Sequence, residues 1–179
     1  MISKQQGMTF IEVLVALFIL VTGVLGAVAM QATAKKGSFD AMQRSLASSI
    51  AQDIVERIRN NDADATTLNL YVGTHGAAAK GLPSPRCNTA ADNCTAAQMA
   101  TNDLYEWTEL IRGGEAKING TNAGGLVGAV GCIARNGQII TVVISWQGRT
   151  QTQDGGTGSC GSATDNSQRR QLSITAFLF

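Results

Sequence analysis

Charge is scarce in this chain, histidine is nearly absent, and proline is confined to one short stretch. Charged residues make up 15% of the 179 positions, hydrophobic residues 44%, and the formal net charge is +1. That balance excludes a disordered composition, and no basic stripe is present to track a nucleic acid. With a single histidine, His75, a Ser-His-Asp arrangement would have to be assembled across the fold, with no local support for it. The cysteines are Cys87, Cys94, Cys132 and Cys160; none forms a C-x-x-C pair, and their spacing is too wide for a four-ligand zinc site. Gly125, Gly128 and Gly131 punctuate a segment that superficially resembles a nucleotide loop, but it lacks Gly-Lys-Ser/Thr and opens no helix. It reads as a turn or the start of a strand. No catalytic residue, metal site or cofactor is therefore expected, and the length suits one domain with a real core.

What is present is concentrated at the N-terminus. Met8–Met30 is an apolar run holding one charge, Glu12. As a helix it would span roughly 34 Å, enough to cross the hydrocarbon core of a bilayer. Lys4 precedes it and favours a cytoplasmic start. A secretory signal peptide would carry a shorter apolar stretch followed by its cleavage site. Here the small residue, Gly7, lies before the run, so the run is expected to stay in the mature chain. A plain transmembrane anchor leaves Glu12 unexplained, because a charge at such a depth costs on the order of 3 kcal/mol by insertion scales. Cutting after Gly7 would create a partner. The new α-amine of Met8 is a cation four residues before Glu12, and the amine of one chain can pair with the carboxylate of a neighbour. That contact sets a register for stacking helices, provided the geometry offsets the desolvation of both groups.

Gly7-Met8-Thr9-Phe10-Ile11-Glu12, followed by the apolar run, resembles the class III signal of type IV pilins and type II secretion pseudopilins. The resemblance implies cleavage after Gly7 by a prepilin peptidase, N-methylation of Met8, and an assembly role for Glu12 at the fifth mature position. Met8 stands where major pilins usually carry Phe, and no proline interrupts the helix where major pilins often have one. Minor pilins of the family tolerate Met8, so that departure leans toward a minor subunit. In a chain with an export signal, four cysteines read as two disulfides. Three pairings are possible; Cys87–Cys94, closing a short loop, with Cys132–Cys160 is the expected one.

Beyond the membrane run, Phe39, Met42, Leu46, Ile50, Ile54 and Ile58 recur at spacings of three and four and mark one helix face. Asn60-Asn61-Asp62 is the expected end. Residues 62–94 read as loop, with Pro83 and Pro85 in it. Thr95–Arg112 reads as a second helix, with Thr95 and Gln98 as a capping box and Gly113-Gly114 as the stop. Its apolar face is Ala97, Ala100, Leu104, Trp107 and Ile111. Asp103, Glu106 and Glu109 read as a solvated face. Leu126–Arg135 and Gln138–Gln147 flank Asn136-Gly137 and read as a hairpin. Ile140, Val142, Ile144 and Trp146 alternate onto a buried face, and Leu172, Ile174, Ala176 and Leu178 repeat the pattern. Arg149–Arg170 is an expected long loop. Asn93-Cys94-Thr95 and Asn119-Gly120-Thr121 match glycosylation sequons, which carry little weight beside a bacterial export signal.

The expected architecture is α+β. A cleaved leader, residues 1–7, is followed by a long helix over 8–60, membrane-spanning over 8–30 and amphipathic beyond. This packs on an antiparallel sheet in a globular head over 61–179, the pilin fold that the resemblance implies. Cys94–Gln98, Asp103–Trp107, Gly131-Cys132 and Val142–Trp146 resemble PilV-type minor pilins more narrowly. The implied function is a non-enzymatic minor pilin that primes or caps a type IV pilus and supports adhesion and twitching motility. Implied partners are other minor and major pilins, the prepilin peptidase, the inner-membrane pilus assembly machinery and, before assembly, the lipid bilayer; no nucleic acid is indicated. The chain would be a single-pass inner-membrane protein with a periplasmic head, and then part of an extracellular fimbrium. The alternatives are a minor pseudopilin of type II secretion and a membrane-tethered periplasmic binding module.

Overall fold

The computed structural model describes residues 7–61, 64–89, 92–114, 116–151, 159–161 and 167–178. The leader through residue 6, with Lys4, lies outside these residues, as do Asp62 and most of the expected loop between Arg149 and Arg170. The chain divides into two compact units, Met1–Phe39 and Asp40–Phe179. One helix, α1 (Phe10–Asn60), contributes to both. Leu, Ala, Val, Ile and Met dominate its first half and no proline interrupts it, so propensity and burial demand agree. Arg57 and Arg59 in its last turn complement the negative end of the helix dipole.

In the second unit, α1 presents Gln43, Ala47, Ile50, Ala51, Ile54, Val55 and Ile58 to the core. The expected face is therefore rotated at its start. Met42 is 58% exposed and Gln43 takes the inward position, because the stripe that reaches the core steps back by four from Ala47 to Gln43. Trp107 locks the crossing of α1 with α3 (Ala96–Arg112): its indole Nε1 donates to the Ile50 carbonyl at 2.9 Å.

The predicted second helix is present. Thr95 is its N-cap, the capping box with Gln98 is complete, and Gly113 ends it in the left-handed region at φ 67°. Ala100, Leu104, Trp107 and Ile111 are buried as expected, whereas Ala97 is exposed. The solvated reading of the acids on this helix is corrected by the structure. Asp103 is buried and accepts from Tyr71 Oη at 2.6 Å and from Arg57 Nη1 at 3.2 Å. Arg57 also pairs with Glu106 at 2.7 Å and Asp53 at 2.8 Å, and Arg86 reaches Glu106 at 3.1 Å. Burial opposes the charge on Arg57, but these carboxylates outweigh it and hold the guanidinium pKa above its ordinary value. Burial pushes the Asp103 carboxyl up despite its two donors. At Glu106 burial also raises the pKa, but the hydrogen bonds from Arg57 and Asn102 outweigh it and the net shift is down.

Residues 62–94 hold more structure than a loop. Helix α2 (Ala65–Tyr71) starts at Asp64, whose carboxylate accepts from Thr67 N at 2.7 Å, and strand β1 (Gly73–His75) follows. Both are too short to carry a periodic signal, and they form because Leu68, Tyr71 and His75 are buried by the rest of the head. Two more short strands, β2 (Lys117–Ile118) and β3 (Thr121–Asn122), pair antiparallel around Asn119 and Gly120, both at positive φ. That is the backbone a type I′ turn requires.

The main sheet has the order β1-β4-β5-β6, all antiparallel, with β4 (Val130–Asn136), β5 (Ile139–Gln147) and β6 (Arg169–Phe177). The β4–β5 hairpin is where the sequence places it, with two boundary changes. Its connection is Gly137-Gln138, because Asn136 still pairs with Ile139. Leu126–Ala129 lies outside β4: Leu126 N donates instead to the Ile111 carbonyl at the end of α3. Ile140, Val142, Ile144 and Trp146 all face the core, and Ala176 and Leu178 join them while Leu172 and Ile174 are partly buried. One apolar cluster thus unites α1 from Ala47 onward, α2, α3 and the sheet. The result is an α+β fold, a long helix packed through its second half on an antiparallel sheet.

Candidate functional site

The first unit is the chemically distinctive one. Its only charge between Phe10 and Met30 is Glu12, placed in the first turn of α1. Glu12 Oε2 accepts from Thr9 N at 2.8 Å and from Thr9 Oγ1 at 3.0 Å, and Glu12 N and Val13 N donate to the Thr9 carbonyl at 3.1 and 3.4 Å. Thr9 is thus the N-cap and Glu12 the third helical residue reaching back to it, one half of a capping box. An acid at this end also suits the helix dipole. Sequence reasoning named Glu12 but missed Thr9 as its partner. The signal was available, since Thr9-Phe10-Ile11-Glu12 is a Thr-x-x-Glu spacing directly ahead of an apolar run.

Ile11, Val15, Ala16 and Ile19 form a shallow apolar groove around Glu12. Every residue from Gly7 to Ser38 is exposed, and the helix contains an 18-residue window with a mean hydropathy of 2.7. Such a continuous apolar surface needs a non-aqueous cover, a bilayer or other apolar helices. Two hydroxyls along it are satisfied by the helix itself: Thr22 Oγ1 donates to the Phe18 carbonyl at 2.7 Å, and Thr33 Oγ1 to the Ala29 carbonyl at 3.1 Å. Back-bonding of this kind removes the penalty of taking hydroxyls into hydrocarbon. Gly7 and Met8 precede the helix as exposed, irregular backbone, and a Cβ on Gly7 would meet nothing within 4 Å.

The remaining named residues lie in the second unit. Cys87–Cys94 and Cys132–Cys160 are disulfides, with Cα–Cα distances of 6.0 and 5.8 Å. The first closes the turn leading into α3. The second ties β4 to the segment before β6, where Arg169 Nη1 and Gln171 Nε2 also donate to the Cys160 carbonyl at 3.1 and 2.9 Å. His75 is buried on β1, 3.1 Å from the Tyr71 carbonyl through Nε2 and edge-on to Trp107. Burial lowers its pKa. It packs as a core residue.

Comparison with known proteins agrees with this arrangement. A family model for the prokaryotic N-terminal methylation motif matches residues 2–28, and one described as type IV pilin Tt1218 matches residues 29–105. No curated protein and no solved structure matches the chain. The two family matches adjoin, and together they cover the capped acid, the exposed apolar helix and the helical part of the head, so the chain belongs to the type IV pilins.

Proposed function

We propose that this chain is a PilV-type minor pilin, a non-enzymatic subunit that primes or caps a type IV pilus and so supports adhesion and twitching motility. The observation that carries the reading is the position of Glu12, a lone carboxylate in the exposed apolar first part of α1 that, among the described residues, is partnered by Thr9. Cleavage after Gly7 by a prepilin peptidase places a methylated α-amine on Met8, and the amine of a neighbouring subunit joins Glu12 as the two helices stack. Nothing in the fold requires glycine at position 7, which fits a requirement set by a processing enzyme. The helix first spans the inner membrane with the head in the periplasm. It then exchanges lipid for the apolar helices of other minor and major pilins as the assembly machinery extracts it.

Intact mass and N-terminal sequencing of the protein from membrane and sheared-filament fractions test this. A chain starting at methylated Met8 in the filament fraction is expected. Glu12→Val should leave cleavage intact and reduce incorporation at least tenfold, the loss of a charge-assisted contact. A chain still starting at Met1, or normal incorporation of that variant, overturns the proposal.

A further inference from the structure

The head carries a cleft of about 440 Å³ between the end of β1 and the start of β4, a volume within the range of small-ligand sites. Ile111 and Leu126 supply apolar wall, Gly76, Ala77 and Ala129 supply backbone and small side chains, and Arg112 supplies the charge. Among the described residues no carboxylate lines it. Two glycines line it at positive φ. Gly76 turns at φ 88° and Gly128 at φ 55°, conformations that side chains rarely adopt.

Arg112 is incompletely used by the fold. Its Nε is buried without a hydrogen-bond partner, and its guanidinium makes one long contact, Nη1 to the Ala77 carbonyl at 3.4 Å. Among the described residues it forms no ion pair. Its position at the end of α3 suits the helix dipole, but this leaves the buried Nε unexplained, and a buried unpaired donor costs free energy. Two other donors here are committed within the fold. Leu126 N takes the Ile111 carbonyl at 3.1 Å and Asn122 Nδ2 the Arg112 carbonyl at 3.3 Å. The charged donor in the cleft is the planar fork of a guanidinium with its buried Nε unpartnered, and its best complement is a carboxylate accepting two parallel hydrogen bonds.

We propose that this cleft binds a carboxylate on a short apolar stem, with Arg112 holding the carboxylate and Ile111, Leu126 and Ala129 receiving the stem. The C-terminus of a peptide and a free aliphatic acid share this chemistry. The site stands independently of the filament reading, since it uses only residues of the head.

The full chain in detergent micelles is titrated with N-acetyl-Ala-Leu, with the same dipeptide as its C-terminal amide, and with isocaproate, followed by NMR of the Arg112 Nε–H and the amides of Gly76 and Gly128. The acid is expected to shift these signals saturably and to slow exchange of the Nε proton, with the amide binding about tenfold more weakly or not at all. Tighter binding of the dipeptide acid than of isocaproate identifies a peptide terminus as the source; equal binding identifies a free acid. Arg112→Gln should weaken the acid about tenfold. Ala77→Leu, at an exposed position on the cleft wall, should block it while leaving the fold intact. Equal binding of acid and amide, unchanged binding by either variant, or no saturation up to about 10 mM overturns the proposal.

Discussion

Gly131 is a point in the sheet where no side chain fits, and substituting it tests how tightly the head is packed. Its φ is not positive, so the constraint is space and not backbone conformation. A methyl built there collides with the Trp107 ring at Cη2 and lies 2.9 Å from Ile111 Cδ1 and 3.0 Å from Trp107 Cζ2. Both side chains are 0% exposed, and Trp107 is further held by its hydrogen bond to Ile50. Relief must come from off-rotamer side chains or a shift of β4, a cost of roughly 1–3 kcal/mol. At about 4 °C per kcal/mol for a unit of this size, Gly131→Ala should lower the melting temperature by roughly 4–12 °C, read by near-ultraviolet circular dichroism of the full chain in detergent. A double-mutant cycle sharpens the test. Trp107→Phe alone loses a hydrogen bond and leaves a void, about 2–3 kcal/mol. Combined with Gly131→Ala, the added methyl enters that void, and the total should fall short of the sum by about 1 kcal/mol or more. An additive cycle, or a Gly131→Ala variant as stable as the parent, refutes the packing argument.

Removing Cys132–Cys160, which closes 28 residues, should cost about 3.6 kcal/mol by loop entropy, against about 2.4 for the 7-residue Cys87–Cys94 loop; paired Cys→Ser variants compared by urea unfolding check the ranking, and a reversed order sinks it. His75 has a folded pKa lowered by burial from its ordinary 6.5, so its contribution is complete above pH 6.5 and is lost as pH falls from there toward the folded value. The difference in stability between the parent and His75→Gln should therefore shrink on acidification through that window; a pH-independent difference argues against it. Thr95→Ala removes the cap of α3 and should destabilise the head by about 1 kcal/mol, visible as faster amide exchange in its first turn; unchanged exchange would show that packing alone holds the helix end.

Elements with strong local signals were legible from the sequence. The apolar run and the amphipathic stripe required a long helix, Thr95, Gln98 and Gly113 bounded α3, and alternation in Ile140–Trp146 oriented β5. The Asn-Gly signal was read at Asn136-Gly137 and passed over at Asn119-Gly120, where it makes a tighter match: both residues adopt positive φ there, whereas the β4–β5 connection begins one residue later. The misreading of Asp103 has a different origin. A carboxylate on a helix is polar in any local reading, and only the fold brings Tyr71 and Arg57 to its two oxygens.

The N-terminal chemistry is a property of the sequence by itself. Thr9, Glu12 and the apolar run act through contiguous residues, and a single helix is enough to cap the acid and expose the apolar surface. The head is different. Its short elements α2 and β1, the network around Arg57 and the cleft beside Arg112 each depend on residues tens of positions apart. Burial against those distant partners decides their conformation and charge environment, and no local spacing encodes it.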